Sequence, residues 1–254
     1  MRNVWILAKN TWQENVRGKF FALSIVFAVV VLYVSVLLGA LAADQEPRVL
    51  FDFGLSFIEL MGLAGALYGS TTVILRELET KTIYMILTRP VSRGQYLAGR
   101  FLGLAMSAAA AMAAMAAFHL LVLFFKGWRW DSFYLLALAG AYFKVLITAA
   151  LAVALTVFST SALTALSITL ILWTLGHFLP ELRYMIAWGP SQWAIVPLRA
   201  LSFVIPDLQL LNYRDQLMAD AYQRPPLWLA ALYAPVYAGI WLAVARALLK
   251  RKEF

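Results

Sequence analysis

With 254 residues, 63% of them hydrophobic and 13% charged, the chain falls outside the composition of soluble domains, which carry about 25% charged residues. At about 20 apolar residues per crossing, its length accommodates roughly six transmembrane helices with modest loops and leaves no room for a separate soluble motor domain. The absence of cysteine removes disulfides, thiolate zinc sites and thiol nucleophiles. The formal charge of +8 fits membrane topology and contact with anionic lipid headgroups rather than nucleic-acid binding.

Charge-free runs define the spans, because a charged side chain at the bilayer centre costs about 2.5–3.5 kcal/mol. Residues 2–17 come first as an interfacial helix, with Val4, Trp5, Ala8, Trp12 and Val16 on one face and Asn3, Asn10, Gln13, Glu14 and Arg17 on the other. The first span, about 20–43, starts without a small-residue cleavage site, which predicts a retained helix and not a signal peptide. The second, about 53–75, is interrupted only by Glu59.

Residues 76–96 then form a charged island between two apolar runs. Glu77 and Glu79 are predicted to open a short helix that carries Leu78, Ile83, Ile86 and Leu87 at helical spacing and ends at Arg89-Pro90. Ser92-Arg93-Gly94-Gln95 has the spacing of a capping box, so Ser92 should cap the helix that continues into the third span. On the residues alone, two readings stay open: a rigid helix that transmits force from a soluble partner, or an ordinary interfacial helix with snorkelling bases.

The third span is placed at about 101–125 and the fourth at about 132–158, with Lys144 near the middle of the fourth. A turn at Ser159-Thr160-Ser161 leads to the fifth, about 162–178, and the sixth occupies about 227–249. Between them, residues 179–226 combine several prolines with an apolar, Trp-containing middle. That composition predicts short helices at the outer interface, or dipping back into the membrane, or else an aromatic-anchored hairpin with no role in transport. The segments on the N-terminal side of the membrane hold thirteen Lys and Arg against seven opposite, which predicts cytoplasmic termini and a cytoplasmic island.

Glu59 and Lys144 carry opposite charges within spans. Three roles follow for them: a structural bridge, a polar lining of a route, or a proton relay. The relay lacks a third acid or a nearby intramembrane histidine. His119 and His177 fall singly near outer span ends, where an interfacial hydrogen bond is expected and a metal site is not. Gly65-x-x-x-Gly69, Gly99-x-x-x-Gly103 and the alanines from Ala108 to Ala117 let helix backbones approach closely, by default within the chain. No H-E-x-x-H, G-x-S-x-G or Walker A pattern occurs.

The run from Arg76 to Arg93, with acid-x-acid, Thr82, an apolar stretch and Pro90-Val-Ser-Arg93, resembles the signature between the second and third spans of ABC-2-type transporter permeases. It is most similar to the branch that contains copper-enzyme-maturation and gliding-motility permeases. Pro206-Asp207-Leu208 and Leu211-Asn212-Tyr213-Arg214-Asp215 extend the resemblance toward the last span, and Lys81 departs from the Gly often found there. The resemblance implies an all-α polytopic permease domain, in the bacterial inner membrane, that carries no catalysis of its own. By matching position, Glu77, Glu79, Thr82, Pro90 and Arg93 would build the coupling loop. That loop would dock a cytosolic ABC ATPase, which would itself bind ATP and Mg. A second permease copy or a paralogue, membrane lipids and a periplasmic partner complete the implied set. Export and mechanical transmission are both compatible with it. Two alternatives from other classes are a membrane anchor or assembly factor, and an intramembrane enzyme.

Overall fold

The computed structural model describes residues 2–18, 46–83, 91–128, 131–188, 192–214 and 226–251, with scattered positions between 22 and 40. Among the described residues the regular structure is entirely helical. We label the helices α1 (Arg2–Arg17), α2 (Glu46–Glu79), α3 (Arg93–Phe125), α4 (Phe133–Phe158), α5 (Ala162–His177), α6 (Leu179–Trp188), α7 (Gln192–Val204) and α8 (Leu227–Arg251). The helices α2, α3, α4 and α8 are each long and apolar enough to cross a membrane, and α5 with α6 would make a fifth crossing, bent by 63°. Most of the first predicted span lies outside the described residues; its described positions are helical, and Val36 packs on the main apolar cluster.

The centre of the bundle is α4. Its residues Ala149 to Ala154 are all buried, because α2, α3, α5 and α8 all pack against it and a helix apolar on every side has no face to give to water. The small side chains of Ala149, Ala150, Ala152 and Ala154 let those neighbours come close.

The N-terminal helix is held by the bundle. It packs along the start of α3, and the buried stripe is Ala8 and Thr11, flanked by half-buried Val4, Leu7 and Asn15, while Trp5 is exposed. The buried face is thus rotated from the predicted apolar face. Geometry explains the rotation: a Cβ on Gly103 would lie 2.4 Å from Thr11 Cβ and 2.6 Å from the Ala8 carbonyl, and one on Gly99 would lie 2.6 Å from Leu7 Cβ. Two glycines one turn apart let the α1 backbone come close, with Ala8 and Thr11 turned inward and Trp5 left out.

The outer segment after α5 is two short helices followed by irregular backbone that re-enters the bundle. Leu208 N donates to Gly176 O at 3.1 Å, and Leu208, Leu211, Asn212 and Tyr213 are all buried. Gly140 and Gly176 make room for it, since a Cβ on Gly140 would fall 2.3 Å from Leu211 O and one on Gly176 2.8 Å from Pro206 O. Asp207 secures the entry by accepting from Leu210 N at 3.2 Å and from Arg183 at 2.7 Å. Non-helical backbone at this depth is stable only when protein covers it, as here.

His119 departs from its expected place at an interface. It is fully buried, with Nδ1 3.0 Å from Tyr134 Oη and Nε2 3.1 Å from Leu50 O. Gly54 vacates the space it fills, because a Cβ there would meet the ring at 2.1 Å.

Candidate functional site

Two polar clusters stand out against the apolar bundle. The first joins the ends of α2 and α3 beneath the island. The prediction that Glu77 and Glu79 open a helix is corrected: α2 runs on through both of them to Glu79. It stops at Thr80-Lys81, where Lys81 adopts a left-handed backbone with φ 56°, the conformation usual just past a helix C-terminus and most easily taken by Gly. Two carboxylates at the negative end of a helix dipole need compensation. Glu77 obtains it from α3, accepting hydrogen bonds from Tyr96 Oη and from the Arg100 guanidinium. Arg100 is 8% exposed at its side chain and also donates to Thr11 Oγ1 at 2.8 Å. Glu14 of α1 bridges to Arg76 at 2.9 Å and lies 3.6 Å from Arg100. Three helices are therefore tied by one charge cluster at the root of the loop.

The loop's far end is equally fixed. Ser92 Oγ accepts from Gln95 N at 3.2 Å and Gln95 Oε1 accepts from Ser92 N at 3.0 Å, the capping box its spacing predicts. Arg93 donates to the Leu249 carbonyl in the last turn of α8.

The second cluster lies deep in the bundle. Lys144 Nζ of α4 donates to Glu59 Oε1 at 3.0 Å and Oε2 at 3.1 Å in α2. Asn212 Oδ1, carried in by the re-entrant segment, accepts from it at 3.3 Å. His177, the last residue of α5, completes the set with Nε2 3.5 Å from Nζ and 3.6 Å from Glu59 Oε1. Its Nδ1 is 3.0 Å from the Trp173 carbonyl, which can only accept, so Nδ1 carries a proton and Nε2 is the nitrogen turned toward the two charges. Asn212 is oriented in turn by Gln209, whose Oε1 accepts from Nδ2 at 3.2 Å. Among the described residues no group of three His, Cys, Asp or Glu could hold a metal ion.

A model of the ABC-2 family transporter proteins matches residues 13–176. The chain belongs to that family. No curated protein matches it. As an ABC-2 family member with several apolar helices it is a multi-pass membrane protein and a permease component of an ABC transporter, and membership implies a cytosolic ABC ATPase as partner.

The residues assigned to the permease's coupling loop occupy different settings. Glu77 and Arg93 are committed to contacts within the chain. Glu79 and Thr82 are exposed, Thr82 Oγ1 being 3.0 Å from Thr80 Oγ1. Pro90 lies outside the described residues. Ile83, immediately after Thr82, is fully buried against Tyr96, Leu97 and Val157. Sequence reasoning missed Tyr96 and Arg100 as partners of Glu77. It also set His177 aside as a lone interfacial residue, whereas it faces both intramembrane charges. An ammonium has three protons to place, so one carboxylate could not have been the whole of the Lys144 site; that was the available signal.

Between the clusters, a cleft of about 730 Å³ runs along α2 from Arg76 and Glu79 to Met61 and Gly62. It ends one turn short of Glu59. Met112 and Val145 pack over Gly62, where a Cβ would meet them at 2.8 Å and 3.2 Å, and neither Glu59 nor Lys144 lines the cleft.

Proposed function

We propose that this permease couples ATP hydrolysis by a separate cytosolic ATPase, which binds ATP and Mg, to export or to mechanical work on a periplasmic partner. In this reading it sits in the bacterial inner membrane with both termini cytoplasmic and pairs with a second copy or a paralogue. The observation that carries it is the bracing of the island at both ends. A loop that must pass on a push has to be stiff where it leaves the membrane, and the Glu77–Arg100–Tyr96 contacts lock α2 to α3 there. Family membership supplies the partner class. Glu79, Thr82 and Pro90 would meet the ATPase, while Glu77 and Arg93 would hold the frame.

The decisive experiment is co-purification of the cognate ATPase, with its turnover in reconstituted complexes. Glu79→Arg with Thr82→Arg should leave the permease folded and abolish recruitment, since like charges placed against a complementary surface cost several kcal/mol, about a hundredfold or more in affinity. Normal recruitment and wild-type turnover would reduce the island to an interfacial helix and favour a membrane anchor. Single cysteines at Ser92 and Gln223 in this Cys-free chain test the orientation: they should label from opposite sides, Gln223 from outside.

A further inference from the structure

A groove of about 380 Å³ opens where α1, α3 and α8 meet, separate from both polar clusters. Its walls are apolar: Val4 from α1, Leu97 and Ala98 from α3, Leu242 and Ala243 from α8. Its mouth is polar, with Arg246 lying across Gly94 in the first turn of α3, so that a Cβ on that glycine would be 3.2 Å from the Arg246 Nε. Ser92 and Gln95 border the same opening.

Three observations bear on what fills it. The first is charge. Arg246 is exposed and makes no ion pair among the described residues; exposed Lys250 follows one turn later. Neither α8 nor the first turn of α3 contains an acidic residue, and the N-terminus of α3 adds the positive end of its dipole. The second is depth. Residues 227–245 of α8 are free of charge, and at about 1.5 Å per residue they span about 28 Å, the thickness of the hydrocarbon layer. Arg246 therefore sits at headgroup level, with the apolar walls on its membrane side. The third is α1, an amphipathic helix with Trp5 exposed, the kind of element that rests at that same level.

We propose that this groove is a binding site for an anionic glycerophospholipid, with the phosphate held by Arg246 at the N-terminus of α3 and an acyl chain lying between α3 and α8 against Val4. A soluble anion would leave the walls unoccupied. A zwitterionic lipid brings an ammonium to a mouth that is already positive. The bound lipid would join the N-terminal helix to α8 and to the start of α3, where the chain leaves the island. The site needs only that the chain lies in a bilayer, and it stands or falls independently of ATPase coupling.

Native mass spectrometry of the full-length protein, stripped of lipid and then titrated with phosphatidylglycerol or phosphatidylethanolamine, tests it. Phosphatidylglycerol should be retained as a discrete one-lipid adduct and phosphatidylethanolamine much less. Arg246→Gln should lower the phosphatidylglycerol adduct by about tenfold, the worth of one charge-assisted hydrogen bond. Gly94→Leu should abolish it by filling the groove, with helical content by circular dichroism unchanged, because the nearest atoms its Cβ meets belong to a flexible arginine. Arg251→Gln, at the helix end and outside the groove, should bind as wild type. Equal retention of the two lipids, or phosphatidylglycerol retention unchanged in both Arg246→Gln and Gly94→Leu, would overturn the proposal. So would displacement of the adduct by millimolar inorganic phosphate, which would make this a free-anion site.

Discussion

Glu59 grips the Lys144 ammonium with both carboxylate oxygens, at 3.0 Å and 3.1 Å, joining α2 to α4 across 85 residues of chain. The pair is buried, with 2% of the lysine and 10% of the glutamate side chain exposed, and Asn212 and His177 absorb what the carboxylate leaves unsatisfied.

Removing one member should therefore be worse than removing both. Lys144→Met strands a carboxylate and should cost about 3–5 kcal/mol, whereas Lys144→Met with Glu59→Gln should recover most of that loss. Thermal unfolding in detergent measures both. Additive losses in the double mutant would mean that the two residues act separately.

The packing of α1 on α3 predicts an effect at a position that carries no chemistry. Gly103→Val must push against the Ala8 carbonyl and Thr11 and should cost about 1–3 kcal/mol by overpacking. Limited proteolysis should then cut within residues 2–18, a segment that packing on α3 should protect in the wild type. Unchanged protection would refute the close approach.

Glu77 and Glu79 stand two residues apart and should behave differently. Glu77→Gln takes the carboxylate away from buried Arg100 and should destabilise by about 2–3 kcal/mol. Glu79→Gln, at an exposed position, should change stability by less than about 0.5 kcal/mol while weakening ATPase recruitment. Equal melting temperatures for the two variants would contradict the root cluster.

Lys81 holds a left-handed backbone that costs a residue with a Cβ about 1 kcal/mol. Lys81→Gly should stabilise the permease by part of that amount, with ATPase turnover unchanged if the lysine has no contact of its own. A lower melting temperature would indicate that the side chain makes a favourable contact.

Composition and periodicity by themselves determined the membrane class, the helical architecture and the Ser92 cap, because hydrocarbon thickness and orphan backbone groups act on local sequence. The same holds for the glycines of α3: Gly99-x-x-x-Gly103 announced a close approach. Which helix would make it was not written there, and the tertiary structure chose α1, keeping Ala8 of the predicted apolar face inward but bringing Thr11 in and leaving Trp5 out. Charge patterning misplaced Glu77, since a run of charges reads as the end of a span, whereas Arg100, 23 residues on, lets α2 continue as a helix. His177 and Asn212 reach Lys144 only because α5 ends at that depth and the re-entrant segment folds over Gly140 and Gly176. A buried ammonium must place its protons on whatever acceptors the fold delivers, and that delivery is a property of packing.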